Sequence, residues 1–261
     1  MKKITHSQRP LILITNDDGV QAKGLQQVAE FLKPLGDIVV VAPDGPRSGQ
    51  SSAITVTTPL RMKVLDEQEG FCLIRTNGTP VDCIKLSMNI LFDRHPDLIV
   101  SGINHGSNSG VSVIYSGTMG AVFEGALLHI PSIGFSLCNH QPDADFNPCR
   151  DLVVDICRKA LATTDWPRGI GLNVNIPKTP QLNGVKMCRA AQGYWTEEYD
   201  CRVDPHGREY YWLTGTFKNN EPDADDTDEY WLDRGYATIV PCSTDCSAVN
   251  TLPRLSSILG L

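Results

Sequence analysis

Two adjacent carboxylates stand just after the first apolar run of the chain. Residues 11–14 are all aliphatic, and Asp17, Asp18 and Gly19 follow them closely. An unbroken aliphatic run is typical of a parallel strand that is buried on both faces, and ligands bind at the carboxyl ends of such strands. Neighbouring side chains of a strand point to opposite faces, so the two Asp converge only if Gly19 turns the backbone. Carboxylates brought together repel each other unless a cation or a shared proton lies between them.

The two Asp also have a purely structural interpretation. Asp residues after a strand are common in Asx turns and at the N-caps of helices. The Asp-Asp-Gly pattern alone does not decide between a turn and a chemical site.

Two further predicted strand ends carry oxygen-bearing side chains. The second apolar run leads into loop 44–52, which contains Ser48 and Gly49, and residues 98–100 lead into a loop that contains Asn104. Taken alone, the first loop is better explained as a flexible Ser/Gly connection. In a doubly wound sheet, however, these loops share one edge. Two carboxylates with neutral oxygens suit Mg²⁺, Mn²⁺ or Ca²⁺ better than zinc.

The segment Ser116-Gly117-Thr118 precedes a predicted helix over residues 121–129. Unpaired N–H groups and the positive end of the helix dipole make a helix N-terminus a ready anion site. An ordinary Ser/Thr cap is the alternative interpretation. Together with an adjacent cation site, the segment indicates metal-assisted hydrolysis of a phosphate ester.

The patterns around these residues alternate between strand and helix. A helix is predicted over residues 24–35 and a buried strand over 38–42, and such a β-α-β unit favours a parallel sheet with a right-handed crossover. Short strands are expected at 53–57 and 71–75. A helix that starts at Thr79-Pro80, with Asp82 in its first turn, is expected to run to about residue 91. The fold class is therefore α/β.

Beyond Cys138 the character of the sequence changes. Residues 185–217 are expected to form hairpin-like strands rich in aromatic side chains, which suggests an interface or a binding wall. The acidic run 221–229 is more typical of a solvated loop than of a metal site. We expect residues 1–137 to form the core with the site, and residues 138–261 to complete the same structural domain.

Composition limits the classes of partner. The 261 residues fit one large α/β domain or two small ones, and the formal net charge of −7 argues against nucleic acid or an anionic membrane as main partner. No apolar stretch is long enough to span a bilayer, and residues 1–6 do not resemble the start of a signal peptide. The nine cysteines are scattered without Cys-x-x-Cys pairs, which favours reduced thiols and a cytoplasmic location.

Several segments, in a fixed order, resemble the survival protein E (SurE) family of 5′/3′-nucleotidases. The resemblance is dense up to about Phe135 and patchy after it. The matching segments are Thr15-Asn16-Asp17-Asp18-Gly19-Val20, Val41-Ala42-Pro43 with Arg47-Ser48-Gly49-Gln50-Ser51, Gly78-Thr79-Pro80-Val81-Asp82-Cys83, Ser101-Gly102-Ile103-Asn104-His105-Gly106-Ser107-Asn108-Ser109-Gly110, Tyr115-Ser116-Gly117-Thr118-Met119-Gly120, Asn173-Val174-Asn175-Ile176-Pro177 and Asp226-Thr227-Asp228 with Gly235-Tyr236.

The resemblance implies a Rossmann-like, mostly parallel sheet flanked by helices, with a C-terminal extension rich in β-hairpins. It implies a phosphatase of nucleoside monophosphates with one divalent ion, Mg²⁺ or Mn²⁺, per subunit. It also implies a homodimer or homotetramer joined through the aromatic C-terminal part. The implied metal ligands are Asp17, Asp18, Ser48 and Asn104. The implied phosphate contacts are Gly49, Ser116, Gly117 and Thr118.

Tyr230-Trp231 and Cys246 depart from the family pattern, which bears on substrate preference and assembly rather than on the metal site. The catalytic groups are expected to be Asp17, Asp18 and Asn104. An Asp could attack phosphorus itself, but enzymes that do so need a second Asp two residues on. Because these Asp are adjacent, we expect a metal-activated water as nucleophile. The alternatives are a phosphatase of other small phosphoesters or short polyphosphate, and a nucleotide-binding module without turnover.

Overall fold

A nine-stranded sheet forms the centre of the computed structural model, which describes residues 8–261. The strands in chain order are β1 (Leu11–Thr15), β2 (Asp37–Pro43), β3 (Met62–Gln68), β4 (Phe71–Thr76), β5 (Leu98–His105), β6 (Ser132–Cys138), β7 (Ile170–Pro177), β8 (Val185–Met187), β9 (Gly193–Thr196), β10 (Tyr199–Val203), β11 (Glu209–Leu213), β12 (Thr216–Asn219) and β13 (Ala237–Ser243). The α-helices are α1 (Lys23–Leu32), α2 (Pro80–Leu86), α3 (Gly117–Leu127), α4 (Arg150–Ala162), α5 (Asp228–Leu232) and α6 (Leu252–Leu259).

The strand order is β3-β4-β2-β1-β5-β6-β7-β13-β8. The six strands from β4 to β7 in that order pair in parallel, whereas β3 and β13 join their neighbours β4 and β7 antiparallel. Outside the central sheet, β10 and β11 form an antiparallel hairpin, and β9 and β12, which flank this hairpin in the chain, pair antiparallel with each other. The predicted fold class, including the C-terminal hairpins, is confirmed.

Helices cover both faces of the sheet, because each face of the parallel strands is apolar and must be buried. On one face, α1 and α4 pack through residues such as Leu25, Val28 and Val153. On the other face, α2 and α3 pack through residues such as Ile84 and Ala121. The carboxyl ends of β1, β2 and β5 therefore form an edge between two helical layers.

The prediction of a strand at residues 53–57 is wrong. Its backbone does not enter a ladder, because the main-chain amide of Thr55 donates to Asp82 Oδ1 at 3.1 Å and the Thr55 hydroxyl donates to Asp82 Oδ2 at 2.6 Å. The antiparallel partner of β4 is instead β3, which the sequence interpretation missed.

The C-terminal part shares the central sheet with the N-terminal part, since β7, β13 and β8 extend it beyond β6. The division of the chain at residue 137 stays a prediction. Residues 1–6, which do not resemble the start of a signal peptide, lie outside the described residues. Within residues 8–261, no helix has the length and apolar character needed to cross a bilayer.

Candidate functional site

Asp17 and Asp18 lie in a turn at the end of β1 that their neighbours hold in place. Asn16 bridges the turn: its Nδ2 donates to the Gly19 carbonyl at 3.1 Å, and its Oδ1 accepts from the Gly19 amide at 3.2 Å. Gly19 has φ of +99°, a conformation that residues with a Cβ rarely adopt. The Asp17 carbonyl accepts from the Arg47 amide at 2.7 Å, which ties this turn to the loop after β2.

The start of α3 lies directly against Asp17. The Thr118 hydroxyl donates to Asp17 Oδ1 at 2.6 Å. A Cβ placed on Gly117 would lie 2.9 Å from the Asp17 Cβ, so only glycine allows this approach. Asp18 Oδ2 accepts from the main-chain amide of His105, at the end of β5, at 3.3 Å. The two carboxylates thus lie between α3 and β5, as the shared sheet edge predicts.

Burial makes this carboxylate pair costly to charge. Asp17 is only 4% exposed, and burial raises its pKa to about 6; the Thr118 hydrogen bond opposes this rise and the charge of Asp18 adds to it. Burial likewise raises the pKa of Asp18, against the hydrogen bond from His105. A bound cation would offset both the burial and the repulsion.

The donor chemistry of the site fits a hard divalent cation. No group of three or more His, Cys, Asp and Glu side chains suited to a metal occurs in residues 8–261. Any further ligands beside the two carboxylates must therefore be neutral oxygens. Such an all-oxygen set is typical of Mg²⁺, Mn²⁺ or Ca²⁺ rather than of zinc.

Asn104, at the end of β5, carries a neutral side-chain oxygen. Its Nδ2 donates to the carbonyls of Gly106 at 3.0 Å and His105 at 3.3 Å, so Oδ1 is the atom left to face a cation. The pairing of β5 with β6 shifts register between Ser101 and Asn104, where the Gly102–Ile103 peptide is cis. Bulges of this kind re-aim side chains next to sites.

Ser48 and Gly49 lie on an exposed loop that is anchored on both sides. On one side, Arg47 donates through its main-chain amide to Asp17 and through Nη2 to the Asn77 carbonyl at 3.2 Å. On the other side, Ser51 donates through its amide to the Tyr115 carbonyl at 3.1 Å. Ser48 is therefore one residue from the main-chain contact with Asp17.

The hydroxyls of Ser116 and Thr118 already have partners within the protein. Ser116 Oγ caps α3 by accepting from the Met119 amide at 3.1 Å, and Thr118 Oγ1 is bound to Asp17. The cap interpretation therefore applies, and the segment also lies beside the carboxylate pair. That it binds an anion stays a prediction. An anion here would be bound mainly by main-chain N–H groups of the first turn.

Thr79 and Asp82 have anchoring roles that the sequence interpretation did not assign. Thr79 and Asp82 form a capping box at α2, with Asp82 Oδ2 accepting from the Thr79 amide at 2.9 Å. The same Asp82 accepts from Thr55, and Thr79 Oγ1 donates to the Ala53 carbonyl at 2.7 Å. The Thr-x-x-Asp pattern signalled the cap, but nothing local signalled that it also holds the loop after Gly49.

Asp228 anchors the loop between β5 and α3. It is fully buried, and its carboxylate accepts from the amides of Gly110 and Ala191, both at 2.8 Å. Nearby, Asn175 Oδ1 on β7 accepts from the Asn108 amide at 2.8 Å. The acidic run 221–229 is therefore not wholly a solvated loop, because its last residues hold a loop that connects Asn104 to Ser116.

The family profile described as survival protein SurE matches residues 12–197 of the chain. The chain belongs to the SurE family. The resemblance inferred from the sequence motifs is confirmed.

Full-length relatives support this membership. A protein of Bacteroides thetaiotaomicron named 5′-nucleotidase SurE is 49% identical over 256 residues, which cover 96% of each chain. A Phocaeicola vulgatus protein of the same name is 46% identical over 250 residues, covering 96% of this chain and 97% of its own. The crystal structure of the SurE protein from Aquifex aeolicus superposes with a TM-score of 0.81 at 34% identity, covering 95% of this chain and 99% of its own.

Proposed function

We propose that this SurE chain is a 5′-nucleotidase, a divalent-metal-dependent phosphatase that hydrolyses nucleoside monophosphates. The contact between Thr118 and Asp17 carries the proposal, because it places a carboxylate pair with a buried member against a helix N-terminus. A cation site and a phosphate site are then adjacent, as phosphate-ester hydrolysis requires. The names of the relatives, 5′-nucleotidase SurE, support the same activity.

One divalent ion per subunit, Mg²⁺ or Mn²⁺, is proposed to bind Asp17, Asp18, Ser48 and Asn104. Two negative charges with neutral oxygens leave such an ion able to act on a substrate oxygen. When bound, the ion would polarise the phosphoryl group and lower the pKa of a water molecule. The phosphate is proposed to contact Gly49, Ser116, Gly117 and Thr118, mainly through main-chain N–H groups.

Water is the proposed nucleophile, rather than a carboxylate of the protein. Asp17 Oδ1 accepts from Thr118 and Asp18 Oδ2 accepts from His105, so each carboxylate is oriented by a hydrogen bond. Neither has a second Asp two residues on that would act as acid or base. Asn104 and the first turn of α3 are proposed to stabilise the charge that develops on the phosphoryl oxygens.

A panel assay with chelation tests the activity. Phosphate release from nucleoside monophosphates, sugar phosphates and short polyphosphate is measured with Mn²⁺ or Mg²⁺, and again after exhaustive chelation. Turnover of the nucleotides that disappears on chelation supports the proposal. Preferential turnover of sugar phosphates or polyphosphate favours the other phosphatase class, and binding without turnover favours a nucleotide-binding module. Activity that survives chelation contradicts the metal requirement.

Quenched-flow labelling tests the nucleophile. With substrate labelled in its phosphate by ³²P, a direct attack by water leaves no label on the protein at any time point. Phosphate retained covalently on Asp17 or Asp18 contradicts the water mechanism.

The proposed partner is a small nucleoside monophosphate, not nucleic acid or a membrane surface. The chain is further proposed to work in the cytoplasm as a homodimer or homotetramer. The net charge of −7 argues against nucleic acid or an anionic membrane as partner, and the scattered cysteines favour the cytoplasm. The exposed aromatic hairpin β10-β11 supports the homodimer or homotetramer.

A further inference from the structure

One aromatic side chain beside Ser116-Gly117-Thr118, the proposed phosphate site, faces solvent. Tyr115 directly precedes the buried Ser116, yet it is 56% exposed, and its neighbour Ile114 is 62% exposed. Within the described part of the chain, the Tyr115 ring has no aromatic or cationic stacking partner, unlike Tyr194 or Tyr230. The Tyr115 ring is therefore exposed and unstacked just before the N-terminus of α3.

The backbone beneath this ring is held from two directions. The Tyr115 amide donates to the Ser112 carbonyl at 3.0 Å, which closes the 3₁₀ turn Gly110–Ile114. Ser51 donates through its amide to the Tyr115 carbonyl at 3.1 Å and through Oγ to the Ile114 carbonyl at 2.6 Å. A ligand that contacts the ring would thus meet a largely pre-ordered segment, which lowers the entropy lost on binding.

The position of the ring fits the part of a nucleotide that the phosphate site does not hold. Asp17 and Gly117 are in contact on the inner side of the α3 N-terminus, so no room remains there for a sugar and base. A 5′-monophosphate bound at this turn must extend outward, over the residues that flank it. Aromatic side chains bind the π-faces of bases with little regard to their identity.

A cavity elsewhere at the sheet edge is a poorer place for the base. It has a volume of ≈ 540 Å³ and includes Leu137, Cys149 and Ile176 in its walls. These residues belong to the apolar layer of α1 and α4, whereas α3 packs on the opposite face of the sheet. The His105 ring, packed on Phe146 at 4.9 Å, is also close to this layer.

We propose that Tyr115 is the stacking platform for the nucleoside base, which makes it a specificity-determining residue. This proposal rests on the nucleotidase function proposed above. It explains how the site would prefer nucleotides over phosphate esters without a base. It also predicts weak discrimination among bases, because stacking on one ring reads no hydrogen-bond pattern.

The test compares substrates with and without a base, using the full chain with Mn²⁺. Tyr115→Ala is expected to lower kcat/KM for 5′-AMP by about 5- to 150-fold, the range for losing one base–aromatic stack. The kcat/KM for ribose 5-phosphate and the inhibition constant of inorganic phosphate are expected to stay unchanged. Tyr115→Phe keeps the ring and is expected to recover most of the loss. Leu127→Ala, which removes an exposed apolar side chain at the other end of α3, is the control.

Each other result overturns the proposal. Equal losses for 5′-AMP and ribose 5-phosphate would mean that the substitution disturbs the phosphate site. An unchanged kcat/KM for 5′-AMP would mean that the base binds elsewhere. A changed molar mass in light scattering, with activity lost on all substrates, would assign Tyr115 to a contact between copies. If the unaltered protein hydrolyses ribose 5-phosphate but no nucleotide, the nucleotidase function itself fails.

Discussion

At the scale of single residues, the site depends on placing two negative charges where water is scarce. Asp17 is buried and has Asp18 as its neighbour, and both features raise its pKa. The chain tolerates this because hydrogen bonds from Thr118 and His105 orient the two carboxylates. Two such carboxylates are costly to ionise unless a bound cation offsets their burial and repulsion, which favours a cation site over a purely structural turn.

Asp17→Asn should lose metal affinity and rate together, because a charged ligand oxygen is replaced by a neutral amide. The loss of Mn²⁺ affinity should exceed the roughly 10- to 100-fold that is typical of outer-shell partners of a metal site. Titration calorimetry with Mn²⁺ and kcat for 5′-AMP measure the two effects. Asp151→Asn, on the exposed side of α4, is the control and should change neither. Unchanged Mn²⁺ affinity in Asp17→Asn would remove Asp17 from the proposed ligand set.

Thr118→Val removes only the hydroxyl that donates to Asp17, since Val has nearly the same shape. Outer-shell partners orient metal ligands, so Mn²⁺ affinity should fall by about 10- to 100-fold. Thr118→Ser keeps the donor and should retain most of the affinity. If the Thr118→Val and Thr118→Ser variants bind Mn²⁺ equally well, the hydroxyl does not act through Asp17.

The residue types of the site were predictable, but their pairwise contacts were not. The sequence places Asp17 and Asn104 after apolar runs, and the geometry of parallel sheets then brings them to one edge. Nothing local to Thr118 reveals that its hydroxyl lies on Asp17, 101 positions earlier. Long-range partners of polar side chains depend on how helices dock, which periodicity does not encode.

At the scale of elements, close packing of α1 against β5 sets the position of Asn104. A Cβ on Gly24 would lie 2.0 Å from the Ile103 carbonyl oxygen and 3.2 Å from Phe146 Cζ. The helix can approach the strand this closely only because Gly24 lacks a side chain. The residue after Ile103 is Asn104, so the contact supports the site directly.

Gly24→Ala should therefore lower the free energy of unfolding by about 1–3 kcal/mol, the usual cost of overpacking. It should also weaken Mn²⁺ binding, because the strand end that carries Asn104 must shift. Gly45→Ala is the matched control, since no heavy atom lies within 4 Å of the added Cβ. Denaturant titration and calorimetry measure the two effects. Equal stability of the two variants would show that α1 adjusts without cost.

Element prediction succeeded where burial dominates and failed where side chains replace ladder hydrogen bonds. The runs that became β1, β2 and β5 are buried and apolar, so their type was clear from the sequence. Residues 53–57 have a β-like composition, yet Asp82 takes the hydrogen bonds of Thr55 that a neighbouring strand would have used. Such competition between side chain and backbone is common for Asp, Ser and Thr.

At the scale of the whole molecule, the C-terminal part contributes to the site without supplying its predicted ligands. Asn175 on β7 and Asp228 on α5 hold the loop that joins Asn104 to Ser116. The sequence predicted the hairpins, but it did not reveal these contacts, because they join residues more than 60 positions apart. The division at residue 137 thus separates residues that share one buried hydrogen-bonded network.

The hairpin β10-β11 exposes several large apolar side chains in the single chain. One of its faces carries Tyr199, Val203, Tyr211 and Leu213, and these side chains are between 59% and 69% exposed. An isolated two-stranded hairpin is marginally stable in water, and soluble monomers rarely expose apolar patches of this kind. A second copy of the chain that covers this face would resolve both problems.

Leu213→Asp should therefore reduce the molar mass in solution, because a buried, unpaired charge at an interface is strongly unfavourable. Light scattering at micromolar concentration measures the mass of the unaltered chain, expected to be that of a dimer or tetramer, and of the variant. Leu127→Asp is the control, since Leu127 is 57% exposed at the end of α3, far along the chain from the hairpin. A monomeric unaltered chain contradicts the proposed assembly. An unchanged mass in Leu213→Asp would place the interface on another surface, of which the exposed apolar side chains of α6, including Leu255 and Ile258, form the next candidate.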